Sequence, residues 1–390
     1  MEYKAQELFF ALLRYELFGR EPDDEQKAQI TPEMSHDIYN LSRQHDLTHL
    51  AASALLRLKL VDEDSPQGRE FSKHLMLAVY RTEGFAYELS RISQVLEDEK
   101  IPFILLKGSV IRDIYPQSWM RTSCDMDVLV HYEDMDRAVA ALERENQYTL
   151  VCRSGHDVSL RAPGGWTLEL HFDLIEEEGV TARAAEEILD NVWQRAVPRR
   201  EGSFCQVLSD EMEYFYHIAH MLKHFELGGC GVRPFIDLYL LNKMSCSAEK
   251  RQALLQQGGI LQFARGVSRL SEVWMEDGKH DELTRELEEF ILQGGVFGNS
   301  QNRVSVMQQQ TGGRLSYLRS RLFLPMSVLR EKFPVLKKYP CLAPVCQVVR
   351  WLRTIKEGRG NRAVREIGQN MSINKADTDK GAALRQKLGL

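Results

Sequence analysis

The residues most suited to chemistry are two carboxylates in the run Cys124-Asp125-Met126-Asp127-Val128-Leu129-Val130. In a strand, alternate side chains share a face, so Asp125 and Asp127 point together while Met126, Val128 and Val130 point into a core. Two carboxylates held this way repel each other and lose hydration unless a cation sits between them. Oxygen ligands of this kind suit Mg²⁺, which takes one or two protein carboxylates and then the phosphates of a substrate. Upstream, Ile101 to Leu106 is an apolar run of strand length that ends at Lys107-Gly108-Ser109. A helix is expected from Ser109 to about Tyr115, capped by Ser109 and stopped by Pro116. Glycine permits close backbone approach, and a helix start attracts anions. A phosphate site followed by a Mg²⁺ site describes a nucleoside triphosphate pocket. A polar strand end and a plain turn would supply the same residues one at a time, but strand, Gly-Ser, helix and strand in this order favour the pocket.

This pattern resembles the nucleotidyltransferase superfamily of DNA polymerase beta type. More narrowly, LLKGSVIRDIYP, then Arg121, then DMDVLV resembles a bacterial family of uncharacterised nucleotidyltransferases, and the likeness runs from about Phe85 to Ile355. The segment Trp166 to Leu174 alternates, with Trp166, Leu168, Leu170, Phe172 and Leu174 on one face and Thr167, Glu169, His171 and Asp173 on the other. Alone, it reads as a half-exposed edge strand whose polar face is solvent. After Gly-Ser and Asp-x-Asp, a Glu bracketed by apolar residues stands where the third metal carboxylate is expected, and the resemblance reaches this Glu-Leu-His segment. A hairpin packed beside the Asp125–Asp127 strand would bring Glu169 to both aspartates.

The resemblance implies transfer of a nucleoside monophosphate from an NTP, with ATP the expected nucleotide. Asp125, Asp127 and Glu169 would hold two Mg²⁺ ions and serve catalysis. Gly108 and Ser109 would take the terminal phosphates, and Lys107 or Arg121 would neutralise them, unless Lys107 points back into the sheet. His171 is a further candidate on the nucleotide. His217, His220 and His224 fall on one face of a helix expected from Asp210 to Phe225. His220 and His224 are assigned to the substrate, with zinc binding and plain packing as alternatives. GGCGVRPFIDLYLL follows, with Arg233 and Asp237 as its polar features.

The elements that must position these residues give an α+β fold: a small mixed β-sheet nucleotidyltransferase core between helical domains. The expected divisions are an N-terminal helical module (1–98), the core (99–208), a C-terminal helical domain (209–355) and a polar, flexible tail (356–390). Phe71 to Lys100 reads as one long amphipathic helix, with Leu75, Val79, Phe85, Leu89, Ile92 and Leu96 inward. The stretch from Ser316 to Ile355 is basic and apolar, broken by Pro325, Pro334, Pro340 and Pro344. It suits a membrane surface, but the repeated prolines favour packing against the helical domain.

Composition narrows the partners. A net charge of -6 and a pI near 6.1, with no basic stripe interleaved with aromatics, argue against nucleic acid and for a small-molecule or protein acceptor. Seven scattered cysteines without a C-x-x-C pair fit reduced thiols, and the absence of a long apolar run or leader-like start fits a cytoplasmic protein with no membrane span. Two other functions stay open at this point. One is a catalytically inactive or regulatory nucleotide-binding protein, such as a toxin–antitoxin-type partner. The other is extension of a tRNA end, since GSVIRD resembles the G-x-V-R-D of tRNA-nucleotidyltransferases. Oligomeric state is not encoded in any pattern found.

Overall fold

The computed structural model describes residues 3–175, 183–244, 247–296, 298, 304, 319, 322–324, 326–356 and 375–390. Five helices precede the first strand: α1 (Ala5–Phe18), α2 (Asp24–Ala28), α3 (Pro32–Gln44), α4 (Thr48–Arg57) and α5 (Pro66–Asp98). The capping residues are readable in the sequence. Asp23, Thr31 and Ser65 each accept a backbone N–H from the first turn of α2, α3 and α5, and proline follows at the start of α3 and α5. Along α5, Phe85, Ile92 and Leu96 are buried as their spacing predicts. Val79 is not: it lies with the exposed Met76 and Tyr80 on the outward side of the helix, while Ala78 of the same turn is buried.

The central part runs β1 (Phe103–Leu105), α6 (Gly108–Ile111), β2 (Asp125–Val130), α7 (Met135–Asn146), β3 (Thr149–Arg153), β4 (Asp157–Arg161), β5 (Thr167–His171), α8 (Arg183–Asp190), β6 (Ala196–Pro198) and β7 (Cys205–Leu208). The seven strands form one mixed sheet in the order β3-β4-β5-β2-β1-β7-β6. β2 is antiparallel to β1 and parallel to β5. Its alternation sorts residues between two cores. Met126, Val128 and Val130 join Phe103 and Leu105 against Phe85, Ile92 and Leu96 of α5 and Ala138 and Leu142 of α7. Leu129, with Ile104 and Leu106, belongs to the other core, shared with the helices of both ends of the chain. Full burial of each apolar β2 side chain stabilises by roughly 1.5–3 kcal/mol. A one-residue slip would send them to the wrong face, so the same burial fixes where Asp125 and Asp127 point.

The remaining helices are α9 (Asp210–Glu226), α10 (Arg233–Lys243), α11 (Ala248–Gln257), α12 (Leu261–Glu276), α13 (Glu282–Leu292), α14 (Met326–Lys332), α15 (Val335–Lys338), α16 (Ala343–Lys356) and α17 (Lys375–Lys387). α1 packs against α12, with the Phe10 ring stacked on Trp274 at 4.5 Å. The N-terminal and C-terminal helices therefore share one core that lies against the carboxylate-bearing face of the sheet. In the tail, expected to be flexible, α17 buries Leu384 and Leu388 in that core and its Arg385 pairs with Glu226 at 3.3 Å. Residues 357–374 of that tail lie outside the described residues. α14 to α16 form a small cluster of their own around Leu329, Leu336 and Cys346.

Candidate active site

The parallel register sets Asp127 directly opposite Glu169 and Asp125 opposite Thr167. The hairpin thought to deliver Glu169 is β4–β5, and β5 lies beside β2 in the parallel sense. Glu169 and His171 share the face of β5 that Asp125 and Asp127 occupy on β2. Asp127, Glu169 and His171 offer ligand atoms within 4.8 Å of one another; among the described residues no other cluster of this kind occurs. Asp125 lines the same cavity but is outside that close set.

Asp127 is the most tightly held member. Lys107 Nζ lies 2.8 Å from its Oδ1, and His171 Nε2 lies 3.0 Å from the same oxygen. Burial alone would raise the Asp127 carboxyl, but Lys107 and His171 outweigh it and hold the group well below the usual carboxylate range. Lys107, also buried, keeps its proton because Asp127 more than offsets the cost of burial. The neighbouring carboxyls shift the other way. Asp125 and Glu169 are raised, first by burial and next by the charge of Asp127. The face thus carries one carboxylate held ionised and two that burial and the charge of Asp127 turn against ionisation.

Lys107 is fixed by an unusual backbone. It precedes α6 at φ 48°, ψ −120°, in a region that residues with a Cβ rarely enter. Next to it, a Cβ on Gly108 would collide with the Ser123 hydroxyl and come within 2.8 Å of Arg121 Nη1. Arg121 in turn is locked to Asp237 of α10 (Nη2–Oδ2 2.9 Å, Nε–Oδ1 3.2 Å) and donates from Nη1 to Ser123 Oγ at 2.6 Å. Tyr115 donates to the same Asp237 at 2.6 Å. Arg121 lines the cavity, but its guanidinium is engaged in tying the loop before β2 to α10.

Two expectations for this loop need correction. α6 is only four residues long and continues as a 3₁₀ turn over Arg112–Ile114, and Lys107, not Ser109, stands at its N-cap. Ser109 is buried within the turn. Its N–H is given to the Leu106 carbonyl at 3.0 Å, its hydroxyl has no partner, and it is not among the residues that line the cavity. Gly108 does line it.

The cavity has a volume of about 510 Å³, in the range of small-ligand sites. Its second wall is α9, whose Glu213, Tyr216, His217, His220, Lys223 and His224 all face it at helical spacing. His220 and His224 approach each other at 3.1 Å between their Nε2 atoms. Burial, then Lys107 and His224, hold His220 far below its ordinary pKa. His217 differs: its Nε2 lies 2.9 Å from the Pro234 carbonyl, so it pins α9 to α10. A larger cavity, about 780 Å³ between α1, α12 and α13, lacks the close carboxylate cluster.

Sequence reasoning gave no site role to several lining residues. Glu213 has one oxygen without a partner, and its carboxyl is pushed up to about 7 by burial and Asp210. It precedes His217 by one helical turn, which was a usable signal. His45 is fully buried with both ring nitrogens unpartnered and is lowered to about 4 by burial. Ser123 and the Asp46–Arg233 pair complete the wall. Nothing in the local pattern around His45 or Ser123 announced a role.

A divalent cation suits these residues, since three carboxylates share the face and Lys107 offsets only one of them. Phosphate suits the opposite wall, where Lys223, His220 and His224 face the same space. No curated protein and no solved structure matches the chain. A family model described as uncharacterised nucleotidyltransferase matches residues 32–276, more than half of the chain and all of the sheet, the carboxylate face and α9. The chain belongs to that family of nucleotidyltransferases.

Proposed function

We propose that the protein transfers a nucleoside monophosphate from ATP or another NTP to a hydroxyl of a small molecule or protein. The observation that carries this reading is the register of β2 and β5, which puts Asp127 opposite Glu169 with Asp125 on the same face of one ligand-sized cavity. Asp125, Asp127 and Glu169, with His171 beside them, would hold two Mg²⁺ ions. When bound, the ions neutralise the triphosphate and the oxygens that attack and leave. Lys107 holds Asp127 ionised and in place before any ligand arrives. Glu169, raised by burial and next by the charges of Asp127 and Asp125, is suited to take the proton of the acceptor hydroxyl. His220, His224 and Lys223 face the cavity across from the carboxylates and would contact the phosphates, while Gly108 leaves the room that Arg121 and Ser123 need. The acidic whole-chain charge supports a small-molecule or protein acceptor over a polynucleotide end.

Binding tests the reading apart from turnover. Mg²⁺ with a non-hydrolysable ATP analogue should raise the melting temperature of the wild type and not that of the Asp125→Asn/Asp127→Asn double variant. Equal stabilisation of both proteins would remove the nucleotide from this face.

A further inference from the structure

The Pro-broken segment that precedes the tail is not used by the site. Between residues 322 and 356 it carries seven Lys or Arg against a single Glu, a net +6 within a chain of net -6. α14, α15 and α16 close on one another around Leu329, Leu336 and Cys346. This packing consumes the inner side of α16, where Cys346 and Gln347 are buried and Gln347 Nε2 donates to the Leu324 carbonyl at 3.1 Å. The outer side is apolar as well. Val345, Val348 and Leu352 recur at i, i+3 and i+7 and are 58%, 48% and 61% exposed. Phe323, Val335 and Tyr339 extend the patch, between 44% and 54% exposed. A soluble helix normally turns charged residues outward, and contiguous exposed apolar surface of this kind marks an interaction site.

We infer that the α14–α16 module docks on an anionic lipid surface, with its outer apolar side chains entering the interface and its Lys and Arg pairing with headgroups. Charge decides between occupants. Lys337, Lys338 and Arg353 are exposed around the patch, which fits a negatively charged layer. It disfavours an isologous contact with a second copy, since two modules of +6 would face each other. On α16 the exposed apolar members, Val345, Val348 and Leu352, are aliphatic and offer no ring for a base to stack on, while Phe323 and Tyr339 are of the aromatic kind that also enters the headgroup and acyl boundary. No helix among the described residues is long and apolar enough to cross a membrane, so the module lies on the surface.

The test is co-sedimentation of the full chain with vesicles of phosphatidylcholine alone and of phosphatidylcholine with phosphatidylserine. Binding is expected to the mixed vesicles, to weaken with added salt, and to be slight with phosphatidylcholine alone. Each surface lysine contributes about fivefold in affinity, so Lys337→Gln/Lys338→Gln should weaken binding by roughly 25-fold. Val348→Gln/Leu352→Gln should release the protein as well, while both variants keep the wild-type melting temperature, because these side chains are exposed. The inference is overturned if the wild type ignores both vesicle types. It is equally overturned if Val348→Gln/Leu352→Gln binds vesicles as wild type does, or instead dissociates a wild-type dimer seen by sedimentation.

Discussion

Replacing Lys107 separates two effects that coincide at one residue. Its ammonium is the nearest counter-charge to Asp127, at 2.8 Å, with side-chain exposures of 21% and 5%. Removing one partner of a buried pair costs about 3–5 kcal/mol. His171 Nε2, 3.0 Å from the same oxygen, remains to hydrogen-bond Asp127, so Lys107→Ala should fall near the lower end, about 3 kcal/mol. The backbone at φ 48°, ψ −120° carries a separate strain of roughly 1–3 kcal/mol for any residue with a Cβ. Lys107→Gly loses the same ammonium but sheds that strain, and should be about 1 kcal/mol or more stabler than Lys107→Ala. This inverts the ordinary order, in which glycine is the less stable by about 0.5–1 kcal/mol. Urea unfolding of the three proteins measures both differences. The Asp127 contribution, from a lowered carboxyl, is present above its ordinary value of 3.8 and is lost as pH falls below it. The Lys107 contribution, from a raised ammonium, is present below 10.5 and lost only as pH rises past it. The gap between wild type and Lys107→Ala should therefore be flat between about pH 5 and 9. An alanine variant as stable as the glycine one, or a loss under about 1 kcal/mol, would refute the reasoning.

The other predictions follow from the same contacts. Gly108→Ala should cost about 1–3 kcal/mol, the usual range for overpacking, by displacing Ser123 and Arg121, and Ser123→Gly should recover most of it; no recovery in the double variant would mean the added methyl meets something else. His45 and His49 are both lowered to about 4 by burial, so folding holds them neutral while the unfolded chain protonates near 6.5. Stability should then be lost as pH falls from about 6.5 to 4, by about 3 kcal/mol per histidine, and a His45→Gln/His49→Gln variant with an unchanged slope in denaturant melts across that window would contradict this.

What could be read in the sequence was whatever rests on alternation and spacing. The strand at Asp125–Val130 and the inward turn of Met126, Val128 and Val130 follow from period-two burial, and the α9 histidines follow from the helical period. Glu169 could be nominated because Leu168 and Leu170 bracket it. Its register was not readable, because β5 reaches β2 through β4 and returns parallel, and the length of a hairpin does not state which neighbour its last strand will choose. Pairings across distance were hidden too. Arg121 and Asp237 are 116 residues apart, so the arginine read as a free cation near the phosphates when it is held by a buried carboxylate. For Lys107 the sequence left two directions open, toward phosphate or back into the sheet, because the kinked backbone that folds it onto Asp127 is a tertiary product. Ser109 was misplaced for the converse reason: Gly-Ser suggested a helix cap, but the chain turns one residue earlier. The apolar outer face of α16 was visible as composition, yet only the fold shows that its inner side is already used.

The central claim is that the face bearing Asp125, Asp127 and Glu169 moves a nucleoside monophosphate. ATP labelled at the α- or at the γ-phosphate, incubated with Mg²⁺, the protein and cell extract, tests it most directly. The account predicts that α-label becomes attached to an acceptor while γ-label leaves as pyrophosphate. Glu169→Gln should lower attachment by roughly 10²-fold or more with nucleotide-analogue binding nearly unchanged, and folded Asp127→Asn should abolish it. Transfer of the γ-label to the acceptor, or undiminished α-label transfer by either variant, would contradict the account.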